Sequence, residues 1–76
     1  MLQIEKITTR IHTNGDLLCL YLEIDTDGYR GRVHSFDVLI FTGTPRQARA
    51  EFNRNVRSWY RERHLPVPRH ALAKST

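Results

Sequence analysis

The dipeptide Asn14-Gly15 constrains the fold of this chain more than any other feature. Both residues tolerate positive φ, and an Asn-Gly pair between two runs of alternating aliphatic residues is typical of a two-residue β-hairpin turn. The runs on either side, Leu2 to His12 and Asp16 to Thr26, are therefore predicted to be antiparallel strands. Because aliphatic residues occupy nearly both faces of the second run, we expect it to be the central strand.

The same turn fixes the register, since a two-residue loop pairs Thr13 with Asp16. Aliphatic residues of the two strands then face one another, and a basic residue meets an acidic one on the other face. Leu2 and Ile4 fall in the opposite phase, which predicts a β-bulge near Glu5-Lys6. The predicted pairs are Ile11–Leu18, Thr9–Leu20, Ile7–Leu22 and Lys6–Glu23.

The run from Tyr29 to Thr42 is predicted to form a third strand, or two strand pieces, after a turn at Asp25–Gly28. Its later apolar residues change phase relative to Val33, so a bulge or bend is expected near Ser35. A tight turn at Asp27-Gly28 would pair this run with the second strand. The resulting pairs are Tyr21–His34, Cys19–Phe36 and Glu23–Arg32.

One long helix is predicted after the strands. Thr44 is a capping residue, Pro45 suits the first helical position, and Gln47 can complete a capping box. We expect the helix to end at about Arg63 or His64, ahead of two prolines that cannot continue it. Its apolar stripe should pack on the aliphatic sheet face and contains Ala48, Phe52, Val56, Trp59 and Tyr60.

The predicted fold class is α+β: a three-stranded antiparallel β-meander followed by one long C-terminal helix packed on one sheet face. Residues 1–64 are assigned to this domain, and residues 65–76 to a proline-containing basic tail that is flexible from Arg69 onward. The hydrophobic fraction of 39% and charged fraction of 26% are ordinary for a globular protein. A chain of 76 residues has a thin core, so self-association is expected as an alternative to a monomer.

The cellular location is predicted from the cysteine count and the N-terminal residues. Cys19 is the one cysteine, so the fold cannot depend on an internal disulfide. Glu5, Lys6 and Arg10 do not fit a signal peptide, and no apolar run approaches the length of a membrane span. We therefore expect a cytoplasmic protein, in the host cytoplasm if a phage encodes it, with no membrane partner.

The positive charge is concentrated in the C-terminal part. Residues 1–44 carry a net charge of −2 and residues 45–76 a net charge of +6, and ten of the twelve basic residues are arginine. At about 100° per residue, four arginines share one side of the helix. This arginine face consists of Arg46, Arg54, Arg57 and Arg61.

The arginine face has two interpretations. Like charges three and four residues apart destabilise a helix by about 0.2–0.5 kcal/mol each, so a helix selected for stability alone would alternate signs here. One interpretation is a solvated surface in a chain rich in arginine. The other is a binding surface for an acidic macromolecule, either a protein or nucleoprotein or the phosphates of DNA or RNA.

The sheet face away from the helix is the second candidate surface. Basic residues interleaved with aromatic ones can contact phosphates and stack on bases, which makes Arg30, Arg32 and His34 candidate partner-binding residues together with Arg10 and His12. The apolar residues of the same face predict instead a homodimer or a protein contact. That candidate interface consists of Leu17, Cys19, Tyr21, Phe36 and Val38.

Catalysis is the third alternative. The chain has four histidines, but none lies at metal-ligand spacing from another histidine, cysteine or carboxylate, and it has no Gly-rich phosphate loop. We therefore expect no metal, no cofactor and no enzyme activity. His34 beside Arg30, Arg32 and Tyr21 resembles small metal-independent ribonucleases in composition only.

In size and layout, the chain resembles small accessory proteins of phages and mobile elements, including anti-CRISPR proteins. The expected function is a non-enzymatic protein that binds and modulates, or inhibits, a larger host assembly through its arginine face. A nucleic-acid-binding protein that uses the helix and the basic sheet face is the alternative, and a small ribonuclease is the second alternative.

Overall fold

The structure, a computed structural model, describes residues 4–13, 16–25 and 29–73, and within these ranges it describes side chains from Leu18 onward. The strands form one antiparallel sheet in the order β1-β2-β3-β4, and one helix follows them. The predicted α+β meander with a helix on one sheet face is confirmed, and the third run forms the two strand pieces that the sequence left open. The elements are β1 Ile4–Thr13, β2 Asp16–Asp25, β3 Gly31–Ser35, β4 Val38–Gly43, α1 Pro45–Glu62 and a 3₁₀ helix Arg69–Ala71.

The predicted register of the first hairpin is confirmed, with Ile7 opposite Leu22 and Lys6 opposite Glu23. The ladder continues to Ile4 without a shift, so the predicted bulge near Glu5-Lys6 is wrong. An out-of-phase residue at the end of a ladder does not shift the register, because few core pairs follow it. Leu2 and the turns at 14–15 and 26–28 lie outside the described residues.

The second and third strands also pair as predicted, through Tyr21–His34 and Glu23–Arg32. The Phe36 N–H donates to the Cys19 carbonyl oxygen at 2.8 Å, which extends the same register by one step. The expected bend near Ser35 is the β3–β4 turn, where Phe36 has a φ of 54°. A register shift between Val33 and His34 leaves Ile40 as the extra residue of β4.

The capping box at the start of α1 is confirmed. Thr44 Oγ1 accepts a hydrogen bond from the Gln47 N–H at 3.2 Å, and Gln47 Oε1 accepts one from the Thr44 N–H at 3.1 Å. The helix ends at Glu62 with Arg63 as the C-cap, one residue before the predicted end.

The core lies between α1 and the aliphatic face of the sheet, and α1 contacts β2, β3 and β4. All five residues of the predicted apolar stripe are buried, and Phe52 has no exposed surface. The start of the helix lies so close to β3 that a Cβ on Gly31 would be 2.5 Å from the Cβ of Ala48. A glycine at this position therefore sets the distance between helix and sheet.

The segment after the helix packs against the core. Ala71 and Ala73 are buried, and Leu65, Val67 and Leu72 pack around the core cluster. The expectation of a flexible tail from Arg69 is therefore wrong for residues 69–73. Prolines stopped the helix as predicted, but the small and apolar residues between and after them return the chain to the helix surface. Residues 74–76 lie outside the described residues.

Candidate binding surface

The arginine face is a continuous strip on the solvent side of α1. Its four arginines are exposed, whereas the opposite side of the helix is buried in the core. Arg49, which the sequence analysis missed, extends the strip at helical spacing. The positions Arg46 to Arg61 cover about 22 Å at 1.5 Å per residue.

A shallow groove follows this strip. Small or neutral side chains separate the arginines, and no carboxylate is among the described residues that line it. The groove therefore presents several guanidinium donors with no carboxylate in its lining. It is lined by Arg46, Arg49, Ala50, Asn53, Arg54, Arg57, Ser58 and Arg61.

The two glutamates of α1 neutralise little of this charge. Glu51 pairs with Arg54, with 3.3 Å between the Arg54 Nη1 and Glu51 Oε2 atoms. Glu62 lies 3.8 Å from Arg63, which is not part of the arginine face. Neither Arg57 nor Arg61 forms an ion pair with any residue that the structure describes. Arg57 and Arg61 are thus, like Arg46, exposed charges of the strip without a carboxylate partner among the described residues.

Arg63 contrasts with its neighbours because it has a structural role. Its guanidinium carbon lies 4.0 Å from the centroid of the Trp59 ring, a cation–π arrangement. Its Nη1 also donates to the Trp59 carbonyl oxygen at 2.9 Å. The Arg63 guanidinium is therefore held by contacts within the protein, unlike those of Arg57 and Arg61.

A second hollow continues the groove at the end of the helix. It lies between Arg57 and Arg61 on one side and His64, Leu65, Pro66 and Val67 on the other. Arg57 and Arg61 line both hollows. They therefore lie at the boundary between the arginine face and the apolar residues Leu65–Val67. In the sequence, residues 65–67 indicate only the end of the helix, through Pro66, but the alternation of Leu65 and Val67 is the signal of a packed segment.

A Schellman motif forms this second hollow. The His64 N–H donates to the Arg61 carbonyl oxygen at 3.0 Å, and the Leu65 N–H donates to the Tyr60 carbonyl oxygen at 3.0 Å. His64 has a φ of 55°, in the left-handed region that glycine usually occupies after a helix. The motif turns the chain back, so that Leu65–Val67 lies beside the last turns of α1.

The basic residues of the far sheet face already have acidic neighbours. Arg32 donates to both carboxylate oxygens of Asp25, at 2.8 and 3.4 Å. His34 Nε2 lies 3.6 Å from Glu23 Oε2, is buried, and has no hydrogen-bond partner among the described residues. Arg30 is exposed and contacts Thr42 Oγ1 at 3.5 Å. Cross-strand carboxylates thus offset much of the positive charge expected on this face.

The residues predicted for a dimer interface have unequal exposure. Cys19 is buried, and its Sγ donates to the Tyr21 hydroxyl at 3.2 Å. Tyr21 is half-buried, whereas Phe36 and Val38 are exposed at the β3–β4 turn and in β4. The side chains of Arg10, His12 and Leu17 lie outside those that the structure describes.

Among the residues that the structure describes, no group of three histidine, cysteine or carboxylate side chains could hold a metal ion. No helix in these ranges has both the length and the apolar character required to cross a membrane.

Compared with known proteins, the chain matches no family model, no curated protein and no solved structure.

Proposed function

We propose that the chain is a small non-enzymatic binding protein that docks the arginine face of α1 on an acidic macromolecular surface and so modulates a larger assembly. The observation that carries this proposal is the state of Arg57 and Arg61. Both are exposed, both line the two adjoining hollows, and neither has an ion pair among the described residues. A partner that supplies acceptors would relieve their mutual repulsion.

The kind of side chain supports an anionic partner. Guanidinium groups donate two parallel hydrogen bonds to carboxylate or phosphate, and such charge-assisted bonds are stronger than neutral ones. Their arrangement along about 22 Å of helix fits an extended acidic surface better than a single small anion. The adjoining apolar wall at Leu65–Val67 favours a protein or nucleoprotein, since phosphates alone would leave it uncovered.

Binding of DNA or RNA through the same helix is the second candidate. Its support is the run of arginine donors without carboxylates between them in the groove. The sheet face contributes less to this candidate than the sequence indicated, because Arg32 is held by Asp25 and His34 lies beside Glu23. Origin from a phage or mobile element and inhibition of a host assembly belong to the first proposal and rest on size, layout and charge. The cytoplasmic location that goes with it rests on the single cysteine and the N-terminal residues.

Chemical-shift mapping by NMR tests the proposal directly. The isotope-labelled protein is titrated with polyglutamate, duplex DNA and single-stranded RNA over a series of salt concentrations. We expect the shifts to cluster at the arginine face and at His64–Val67. A nucleic-acid ligand should bind with a slope of log affinity against log salt of about −0.9 for each duplex phosphate contacted. Shifts centred on Arg32 and His34, or no binding by any probe, would refute the proposal.

A further inference from the structure

Among the side chains that the structure describes, the exposed large apolar ones are concentrated in and just before the β3–β4 hairpin. Every large apolar residue that is strongly exposed among the described residues lies between positions 29 and 40. Three of them are consecutive in β4, where Val38 is 65% exposed, Leu39 is 51% exposed and Ile40 is 44% exposed. Isolated exposed apolar residues need no explanation, but a continuous group marks an interaction surface.

β4 is also an edge of the sheet. In the order β1-β2-β3-β4 it pairs with β3 on one side, and no described strand pairs with its other side. Edge strands in natural proteins are protected by charged residues, proline or β-bulges, because unpaired backbone groups recruit other strands. β1, the opposite edge, carries Glu5, Lys6 and Arg10, whereas β4 contains neither a charged residue nor a proline. The irregularity of β4 is confined to the extra residue Ile40, and Val38 and Leu39 stay in the ladder with β3.

We propose that β4 pairs antiparallel with β4 of a second copy of this chain, forming a two-fold symmetric dimer. The unpaired backbone groups of an edge strand bind another extended segment. An acidic partner is not favoured here, because β4 carries no basic residue that could pair with it. A second copy fits because two-fold pairing sets the same uncharged, apolar strand against itself, with no like charges opposed within the strands. The two four-stranded sheets would continue as one sheet of eight strands.

This interface differs from the far-face dimer expected from the sequence. Within the protomer Cys19 is buried and Tyr21 is half-buried, whereas the exposed Phe36 and Val38 lie in the β3–β4 turn and at the start of the edge strand β4. Leu39 and Ile40 complete that edge.

The symmetry has a consequence for the helices. Antiparallel strands at an edge are related by an axis perpendicular to the sheet, so both copies of α1 lie on the same face of the extended sheet. The two arginine faces then lie on the same side of the dimer. Two linked sites bind a repeated acidic surface more tightly than one site does, provided that the spacing matches. The dimer itself does not depend on the proposed function.

Light scattering after size exclusion, over a range of protein concentrations, tests the dimer. We expect the unaltered chain to be a dimer and the variants Val38→Lys and Leu39→Lys to be monomers. Both sites are exposed, so the thermal transition of the diluted protein should remain, and circular dichroism checks that these variants are folded. Tyr29→Lys is the matched control, since Tyr29 is exposed but lies outside β4, and this variant should stay dimeric.

Hydrogen exchange of the β4 amides gives a second measurement that needs no substitution. Protection of the β4 amides that point away from β3 should rise with protein concentration, while protection of the α1 amides should not. A strict monomer at every concentration, or a dimer that survives both lysine variants, would overturn the proposal. An Arg57→Gln/Arg61→Gln variant should remain dimeric, which separates this test from that of the arginine face.

Discussion

Asn53 on α1 holds the backbone of Ala73 through both ends of its side-chain amide. Nδ2 donates to the Ala73 carbonyl oxygen at 3.1 Å, and the Ala73 N–H donates to Oδ1 at 2.7 Å. This pair of bonds ties the segment after the helix to the middle of α1. The same segment begins with Leu65–Val67, which form the apolar wall beside Arg57 and Arg61. The two bonds of Asn53 therefore help to hold that wall in place.

Replacing Asn53 should therefore loosen the whole C-terminal segment. Asn53→Ala removes two hydrogen bonds and leaves the polar groups of the buried Ala73 unpaired, so we expect a loss of about 1–3 kcal/mol in the free energy of unfolding. Urea denaturation measures that loss, and hydrogen exchange at the Ala73 amide locates it. Asn55→Ala is the control, because Asn55 bonds only to Glu51 within the helix. Equal stability losses in the two variants would contradict this role of Asn53.

Phe52 is expected to be the largest single contributor to the core. Its side chain is fully buried between α1 and the sheet, so Phe52→Ala should lower the free energy of unfolding by about 3–5 kcal/mol. Phe36→Ala deletes the same atoms from an exposed position and should cost far less in dilute solution. The thermal midpoints of the two variants provide the comparison, and an unchanged midpoint for Phe52→Ala would show that the helix packs on another face.

The contact between Gly31 and Ala48 should not tolerate a methyl group. In Gly31→Ala the new Cβ would lie 2.5 Å from the Ala48 Cβ and 3.2 Å from the Pro45 Cα, so the helix must move away from the sheet. We expect a loss of about 1–3 kcal/mol, as in other overpacked cores. Gly43→Ala meets only the ends of the Gln47 and Phe41 side chains and should be milder in thermal denaturation. If Gly43→Ala proves the more damaging change, the close approach does not limit the fold.

Because of Tyr60, the free energy of unfolding is expected to depend on pH in the alkaline range. Burial raises the pKa of the Tyr60 phenol above its ordinary value of 10.0. Above about pH 10 the unfolded chain loses this proton while the folded chain keeps it, so the free energy of unfolding should fall as the pH rises. When the free energy of unfolding is measured across this pH range, its decrease should be smaller in Tyr60→Phe than in the unaltered chain. The decrease should be unchanged in Tyr29→Phe, since Tyr29 is exposed. Identical pH profiles for the unaltered chain and Tyr60→Phe would contradict this account.

Local signals in the sequence were sufficient for the first hairpin and the helix. Asn14-Gly15 permits one alignment of β1 with β2, and Thr44, Pro45 and Gln47 define the start of α1 by capping chemistry. The β3–β4 turn was harder to locate, since Phe36 occupies a positive φ without the glycine or asparagine that normally marks it.

The surfaces were predictable only in part. Helical periodicity placed the arginine face correctly on the solvent side, because the apolar stripe fixes the orientation of α1. The exposure of β4 and the formation of the second hollow by Leu65–Val67 depend on tertiary packing. Arg32 was expected opposite Glu23, and it lies there, and its guanidinium pairs with Asp25, two residues further along β2. Cross-strand register alone does not decide which carboxylates a long side chain reaches.

The most direct test of the central claim compares two double variants of equal charge. Arg57→Gln/Arg61→Gln removes the uncompensated pair, and Arg30→Gln/Arg69→Gln removes two exposed arginines outside the groove. Fluorescence anisotropy measures the affinity of each for labelled polyglutamate and labelled duplex DNA at several salt concentrations, and urea denaturation measures stability.

We expect the first variant to keep its stability within about 0.5 kcal/mol and to bind its preferred probe about tenfold more weakly, a change of about 1.4 kcal/mol. If that probe is DNA, the slope of log affinity against log salt should become about 1.8 less negative, for two lost phosphate contacts. The control variant should bind more nearly like the unaltered chain. Equal losses in both variants, or unchanged binding in the first, would show that the arginine face of α1 is a solvated surface and not the binding site.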